Sequence, residues 1–555
     1  MSASLIERQK QANIFIWLSL GAGLVALALV LSWVSSGFQS VAGWLSFLLV
    51  GLLGAVILAG GWRLLQGETP PRWLLGLSIG AALLRLAAGM VWFTVLPIAG
   101  YDSPPEQHGY VMADAYDRDR SAWELASSDK PLLKAFQGGF RKADQYGGML
   151  FLSAAVYRFA GGQTHQPLLM VVITAAFSAL AVAFSWGFAR RAWGEAAAYL
   201  AAWGLALYPE AILVGSSQMR EAFLVTLAIV AAYGLLKFGR ERSLGGMALI
   251  LGSLVLSLPL SPPSTALLLV ILVLQAVAMG KAWLPSGWRE QRWFWPTLVG
   301  AILLVGIGLW LALLQFAPAG VTSPIGVVGW WIKKSADWNA YLSERASGWV
   351  QKIFDSTPEW THMPLLVLYG MIQPFLPAAV IDVTGAPVWR LIAIWRAAGW
   401  TLLLPLLLYA CLRALRPKSD LSASQGLSAS GERVLSLAVW LVILVASFRG
   451  GGDAWDNPRY RLTFAGLQMA LVAWAWAEQR RLPDPWLRRV IIGLGLVLAW
   501  FVPWYLRRYL HMQWPVADFF MTLGLGLASA VLYWISDWVL AKFKQRKQSD
   551  TDHHE

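Results

Sequence analysis

The sequence predicts an all-α, polytopic membrane helical bundle of about fourteen transmembrane helices with long outer-face loops. Three observations predict it. Hydrophobic residues make up 57% of the 555 residues and charged residues only 14%, where a soluble chain carries about 25% charged residues; mean hydropathy is +0.55. Apolar stretches near the roughly 20 residues that cross a bilayer as a helix recur along the whole chain. The 33 tryptophans suit the membrane–water boundary, where an indole ring is apolar and its N–H finds water. The composition excludes a disordered chain, a secreted disulfide scaffold and a soluble enzyme. Cys411 is the only cysteine, which excludes an intrachain disulfide and a cysteine metal cluster.

Apolar runs set against charged breaks place spans near 13–35, 41–62, 73–98, 167–189, 195–209, 218–236, 245–260, 263–280, 294–315, 389–412, 433–448, 463–477, 490–506 and 516–541. The first is too long for a signal peptide and lacks a small-residue cleavage site, so it reads as a retained helix.

Short loops set the orientation. One set is basic: Arg190-Arg191, Lys237 with Arg240 and Arg242, Lys281 with Arg289 and Arg292, and Arg413 with Arg416 and Lys418. Arg480, Arg481, Arg488 and Arg489, and the tail Lys542, Lys544, Arg546 and Lys547, belong to the same set. Alternate connections at 36–40 and 261–262 carry no Lys or Arg. The basic set is therefore expected in the cytoplasm, with both termini inside. The net charge of +13 is then mainly a topology signal and points to no nucleic-acid partner.

Two long loops, about 99–145 and 316–388, fall on the outer face and break the pattern of short connections. The apolar segment 146–161 is too short to span and reads as an interfacial or partly dipping helix. The run 368–382, with Pro374 and Pro377, suits a re-entrant or surface segment. Residues 419–431 read as a flexible linker.

Candidate chemistry lies in three clusters. The first outer loop holds Asp102, Glu106, Asp114, Asp117, Asp119, Glu124, Asp129 and Asp144, and at least one of these acids is expected to act as a catalytic base. Residues 114–126 alternate charge with apolar positions, as an amphipathic helix on a membrane would. Asp117-Arg118-Asp119 formally matches a metal-binding D-x-D, but its arginine neighbours satisfy the carboxylates as readily, and a metal is not favoured. No H-E-x-x-H or Walker lysine motif occurs.

The second cluster is LYPEAILVGSSQMREAFLV at 207–225, where Glu210 and the pair Arg220-Glu221 either anchor helix ends at the interface or point into a shared cavity. The third is FRGGGDAWDNPRYRL at 448–462. Arg459 and Arg461 flank Tyr460 there, against the positive-inside trend. They ask for an anion, for which phosphate or pairing with Asp453 or Asp456 are the two accounts. Arg85, inside the third span, needs a partner in the bundle.

In order and sidedness these pieces resemble the GT-C superfamily of integral-membrane glycosyltransferases, of the protein O-mannosyltransferase and aminoarabinose-transferase type. The resemblance rests on an Arg-containing helix followed by a long acidic loop with Asp114-Ala115-Tyr116, then DQYGGMLFLSAAVYRFAG. It continues through the RRAWGE helix pair ending in LALYPEAIL, Arg220-Glu221, and the R-Y-R element in NPRYRL. It departs from the family where Ala115 stands in place of a second acid after Asp114. It covers roughly 73–480 as a catalytic core. The divisions that follow are 1–72 as an N-terminal two-helix extension, 481–541 as C-terminal helices and 542–555 as a basic cytoplasmic tail.

The resemblance implies a polyprenyl-phosphate-linked sugar as donor and a hydroxyl acceptor of unknown identity, with no cofactor. Asp114 would be the general base, with Asp102, Asp117 and Glu210 in reserve. Arg459, Tyr460, Arg461 and Arg220 would hold the donor phosphate, with Arg85 and Glu221 also in the cavity. Opposite-face attack would invert the anomeric centre. A transporter or flippase of lipid-linked sugars is the alternative, and would show matched broken helices in two halves.

Overall fold

The computed structural model describes residues 3–37, 41–280, 320–345, 348–416, 427–450 and 456–552, with scattered positions between 300 and 318. Every regular element among them is helical. The protein is an integral, multi-pass membrane protein. Among the described residues nine helices are long and apolar enough to cross a bilayer, or ten if one bent pair counts as a single span.

The expected count of about fourteen is not confirmed. The segment 294–315 lies largely outside the described residues. Three other expected spans form helices that are too short or only briefly apolar: Leu244–Ser257, Ala465–Arg481 and the apolar stretch Gly21–Ser36.

The chain divides into two compact units. The first contains residues 1–335, 425–431 and 459–470. Its helices are α1 (Ala3–Ser36), α2 (Val41–Leu65), α3 (Arg72–Ala99), α4 (Pro104–Gln107), α5 (Ala113–Ala126) and α6 (Gly148–Ala160). They continue with α7 (Leu168–Trp193), α8 (Glu195–Leu207), α9 (Pro209–Gly215), α10 (Arg220–Glu241), α11 (Leu244–Ser257) and α12 (Pro262–Met279).

Helices α7 and α10 are apolar and buried along most of their length. Close approach depends on small residues, the usual contact in membrane bundles. A β-carbon on Gly61 would stand 2.3 Å from Leu180, and one on Gly89 would meet Val171 at 2.6 Å and the Ser216 carbonyl oxygen at 3.0 Å. At the end of this unit away from the 100–147 segment, Glu68 pairs with Arg191, which also pairs with Glu241, and the Tyr233 hydroxyl donates to Glu68 at 2.7 Å.

The expected dipping helix at 146–161 is α6. Its 13 residues reach about 20 Å, short of the roughly 30 Å hydrocarbon core. The amphipathic helix expected over 114–126 is α5. Its buried face, however, includes the charged side chains of Arg118 and Asp119 and packs against α6. A helix resting on lipid would turn such groups outward, so α5 is seated on protein.

Helices α8 and α9 meet at a 55° bend between Leu207 and Pro209. Proline has no N–H to give the Leu205 carbonyl four residues back. The buried Arg85 guanidinium reaches that carbonyl from α3, with Nη2 at 3.5 Å, while its Nη1 donates to the Ala81 carbonyl at 2.9 Å. The partner that Arg85 requires inside the bundle is thus backbone.

In the second unit, residues 359–372 and 376–381 form two short helices around a break at Gln373–Pro374. Phe375 packs there against Phe501 and Tyr505 of the helix Trp486–Leu510. Asp484 gathers Arg413 at 2.7 Å, the Tyr409 hydroxyl at 3.1 Å and Arg416 at 3.4 Å.

Candidate active site

All of the candidate site lies in the first unit. Asp114 sits in the first turn of α5, where a carboxylate is favoured by the helix dipole. Glu221 occupies the first turn of α10 in the same way, directly after Arg220. Arg459 belongs to the short helix Asp456–Leu462, which turns at Thr463 and Phe464 into the helix Ala465–Arg481. Gly466 lets that second helix press on Ile229 of α10, where a β-carbon would come within 2.9 Å. This contact sets the height at which Arg459 reaches the site.

The Arg459 Nη1 donates to Asp114 Oδ2 at 2.8 Å. Its Nε lies 3.8 Å from Glu221 Oε1, and the Arg220 Nε lies 3.5 Å from the same oxygen. Arg220 also stacks over Tyr146, 4.9 Å from the ring centroid. Arg118 completes the group. Its Nη1 donates to the Gln218 carbonyl at 3.2 Å, and its Nε is 3.9 Å from Asp144. Asp144 is fixed in turn by the Leu150 amide at 2.9 Å at the start of α6. Three arginines thus interleave with three carboxylates.

Access is uneven across this group. The side chains of Arg459 and Glu221 are 8% and 3% exposed, while that of Asp114 is 53% exposed. The one open acid sits beside closed cations. Burial pushes the Asp114 carboxyl up, but Arg459 beside it, and then Arg118 and Arg220, outweigh that and hold it below the usual carboxylate range.

The other expected site residues fall elsewhere. Asp102 is exposed and accepts from Gln107 at 2.7 Å. Asp117 is exposed on α5, and Glu210 is buried in α9. Arg461 is buried two residues beyond Arg459, about 200° further round the helix, so the two arginines face opposite ways. Tyr460 carries the Arg459 guanidinium 5.4 Å from its ring centroid. Asp453 lies outside the described residues.

Asp119, the second acid of the D-x-D, is fully buried. It accepts from the hydroxyls of Tyr110 and Tyr157, and His165 Nε2 stands 2.7 Å away. Burial first, and then the Asp119 charge, push the Tyr110 hydroxyl well above its ordinary pKa, so it stays a donor. Among the described residues, no group of three or more His, Cys, Asp or Glu side chains is placed to hold a metal ion. His165 lies in no sequence cluster, and Tyr146 and Gln218 are not singled out within the DQYGGM and SSQMREA stretches that hold them; the geometry brings all three in.

The fold and this cluster define a polytopic membrane protein with an acid–arginine site at one end of its first unit. No protein-family model matches the chain, and no curated protein matches it either. Among solved structures the chain is similar to the archaeal oligosaccharyltransferase AglB from Archaeoglobus fulgidus, determined in complex with an inhibitory peptide and a dolichol-phosphate. The TM-score is 0.37 and the identity 14%; the match covers 83% of this chain and 56% of that one. The chain spans little more than half the length of that protein.

Proposed function

We propose that the protein is a membrane glycosyltransferase, transferring a sugar from a polyprenyl-phosphate donor to an acceptor hydroxyl on the outer face of a cell membrane. The observation that carries this reading is the 2.8 Å contact between the half-open carboxylate of Asp114 and the buried guanidinium of Arg459. A base and a phosphate-binding cation are thereby adjacent, as the reaction requires. The resemblance of the sequence motifs supplies the donor class.

In this reading the acceptor oxygen attacks the anomeric carbon opposite the phosphate. The bond from that carbon to the phosphate oxygen breaks, and its electron pair leaves with the polyprenyl phosphate. The hydroxyl proton passes to Asp114. The leaving phosphate gains negative charge as the bond opens, so Arg459 and Arg220 bind it more strongly in the transition state than in the bound donor. Arginine charge does this work without a divalent metal. When the donor phosphate takes Arg459, Asp114 loses the cation that depresses its pKa, and its burial makes it a stronger base at the moment of need. Arg461, on the far face of the short helix, supports the segment that carries Arg459.

Mass spectrometry of lipids co-purified from membranes tests the reading. Asp114→Asn is expected to retain an intact polyprenyl-phosphate sugar, and the unsubstituted protein the spent polyprenyl phosphate. If neither sample contains a polyprenyl phosphate, the reading is wrong. The bent pair α8–α9 is a feature that a flippase would share, but transporters carry such breaks in matched halves. Among the described residues one bent pair is long and apolar enough to count as a broken span.

A further inference from the structure

A cavity of about 1150 Å³ opens beside α5 in the first unit. Asp114 is not among its lining residues, but Asp117 and Ser121 are. These three sit at i, i+3 and i+7 and form one stripe along α5. An occupant of the cavity therefore begins one helical turn, about 5.4 Å, from Asp114.

The lining has two kinds of surface. Phe93, His108, Tyr116 and Trp123 supply ring faces and edges. The rings are held in place: Trp123 stacks on His165 at 5.3 Å between centroids, and Tyr116 packs against His108 at 5.2 Å and Tyr110 at 5.4 Å. Asp119, buried behind them, ties down Tyr110 and His165, which also line the cavity. Polar side chains line much of the remainder: the carboxylate, guanidinium and amide planes of Asp117, Glu124, Arg120 and Gln107, with Lys142 and several serine hydroxyls. Asp117 and Glu124 balance Arg120 and Lys142 in formal charge, and Arg120 is braced by a 3.3 Å bond from Nη1 to the Tyr116 hydroxyl.

These features select a ligand class. Balanced charge offers nothing to a polyanion or a polycation. Carboxylate, guanidinium and amide planes each hold pairs of vicinal hydroxyls, and aromatic faces take the C–H face of a pyranose ring. The volume exceeds the roughly 300–1,000 Å³ of ordinary small-molecule pockets, so more than one sugar ring fits. We infer that this cavity binds a neutral oligosaccharide, which is the acceptor, with its reactive hydroxyl directed toward Asp114.

The inference rests on the glycosyltransferase reading for the word acceptor, but binding itself does not need the donor or the base. The chemistry is unchanged: the oligosaccharide oxygen bonds to the donor's anomeric carbon, its proton goes to Asp114, and the polyprenyl phosphate departs.

The test is a glycan array of neutral oligosaccharides, with a peptide array alongside, probed with the labelled full chain in nanodiscs. Neutral oligosaccharides are expected to bind above empty nanodiscs, and Asp114→Asn is expected to bind equally well. Glu124→Gln, at an exposed position, should weaken that binding about tenfold, as should Trp123→Leu. The inference is overturned if no neutral oligosaccharide binds, if peptides bind instead, or if Glu124→Gln and Trp123→Leu both bind as the parent does. Binding with no transfer from any polyprenyl-phosphate sugar would leave the cavity's ligand standing and remove the glycosyltransferase reading.

Discussion

Asp114 and Arg459 are 345 residues apart in the chain and 2.8 Å apart in space. The contact joins the first turn of a loop helix to a short helix late in the sequence. It places the only half-open carboxylate of the cluster against a buried cation.

Removing that carboxylate's charge while keeping its shape is expected to stop chemistry and spare binding. Asp114→Asn should lower sugar transfer about 10²–10⁴-fold, the usual worth of a general base, with total polyprenyl phosphate retained at the parental level. Radiolabelled transfer in nanodiscs, with lipid content measured on the same samples, checks this. Transfer at the parental rate would remove Asp114 as the base.

The pH dependence follows from the sign of the Asp114 shift. Arg459 lowers its folded-state pKa below the unfolded value of about 3.9. Its ionised form therefore contributes stability above about pH 3.9, and that contribution is lost as pH falls through the lower folded value. In Arg459→Gln the largest lowering influence is gone and burial still raises the pKa. The acidic limb of kcat/KM for residual transfer, which reports the protein before donor binds, should then move to higher pH than in the parent. A limb that stays in place contradicts the pairing.

Chelation separates arginine from metal chemistry. If Arg459 and Arg220 carry the phosphate charge, EDTA should leave transfer within about twofold, since no metal-bound step is lost. A loss of activity restored by added Mg²⁺ or Mn²⁺ would place a metal in the site.

Neighbouring acids on α5 should behave differently. Asp119→Ala strands the buried hydroxyls of Tyr110 and Tyr157, at about 1–3 kcal/mol for each unsatisfied group. Asp117→Ala, at an exposed position, should stay within about 0.5 kcal/mol. Thermal unfolding in detergent reads the difference.

A glycine pair on α3 tests the packing. Gly89→Ala pushes a methyl group into Val171 and the Ser216 carbonyl and should cost about 1–3 kcal/mol. Gly80→Ala meets nothing within 4 Å and should be neutral or stabilising. Equal melting temperatures for the two variants would contradict the close contact of α3 with α7.

Much of the fold was legible because hydropathy reports burial directly. Helices α2, α3, α7 and α10 fall where apolar runs ended at charged breaks. The span count was less legible, since an apolar run does not reveal that Leu244–Ser257 is a helix of only 14 residues. The site was legible in its parts and not in its assembly. Asp114 and Arg459 each stood out locally, but no local pattern encodes a contact across 345 residues. Asp119 misled in a different way. Its D-x-D setting suggested pairing with the neighbouring arginines rather than a metal, whereas its partners Tyr110, Tyr157 and His165 come from three separate segments that only folding brings together.

The interleaving of three arginines with three carboxylates has a consequence for selectivity. With its cations already matched, the empty site offers no surplus charge to a small anion drifting in from solution. Free inorganic phosphate must break an existing pair to enter and brings nothing else to offset the loss. It is expected to inhibit transfer no better than at about millimolar concentration, near −4 kcal/mol. A lipid-borne phosphate also carries its hydrocarbon chain, and the transfer of that chain from the bilayer into the protein supplies what the headgroup alone lacks. On the proposed reading, the same arginines would admit a membrane-anchored donor and exclude the dissolved ion.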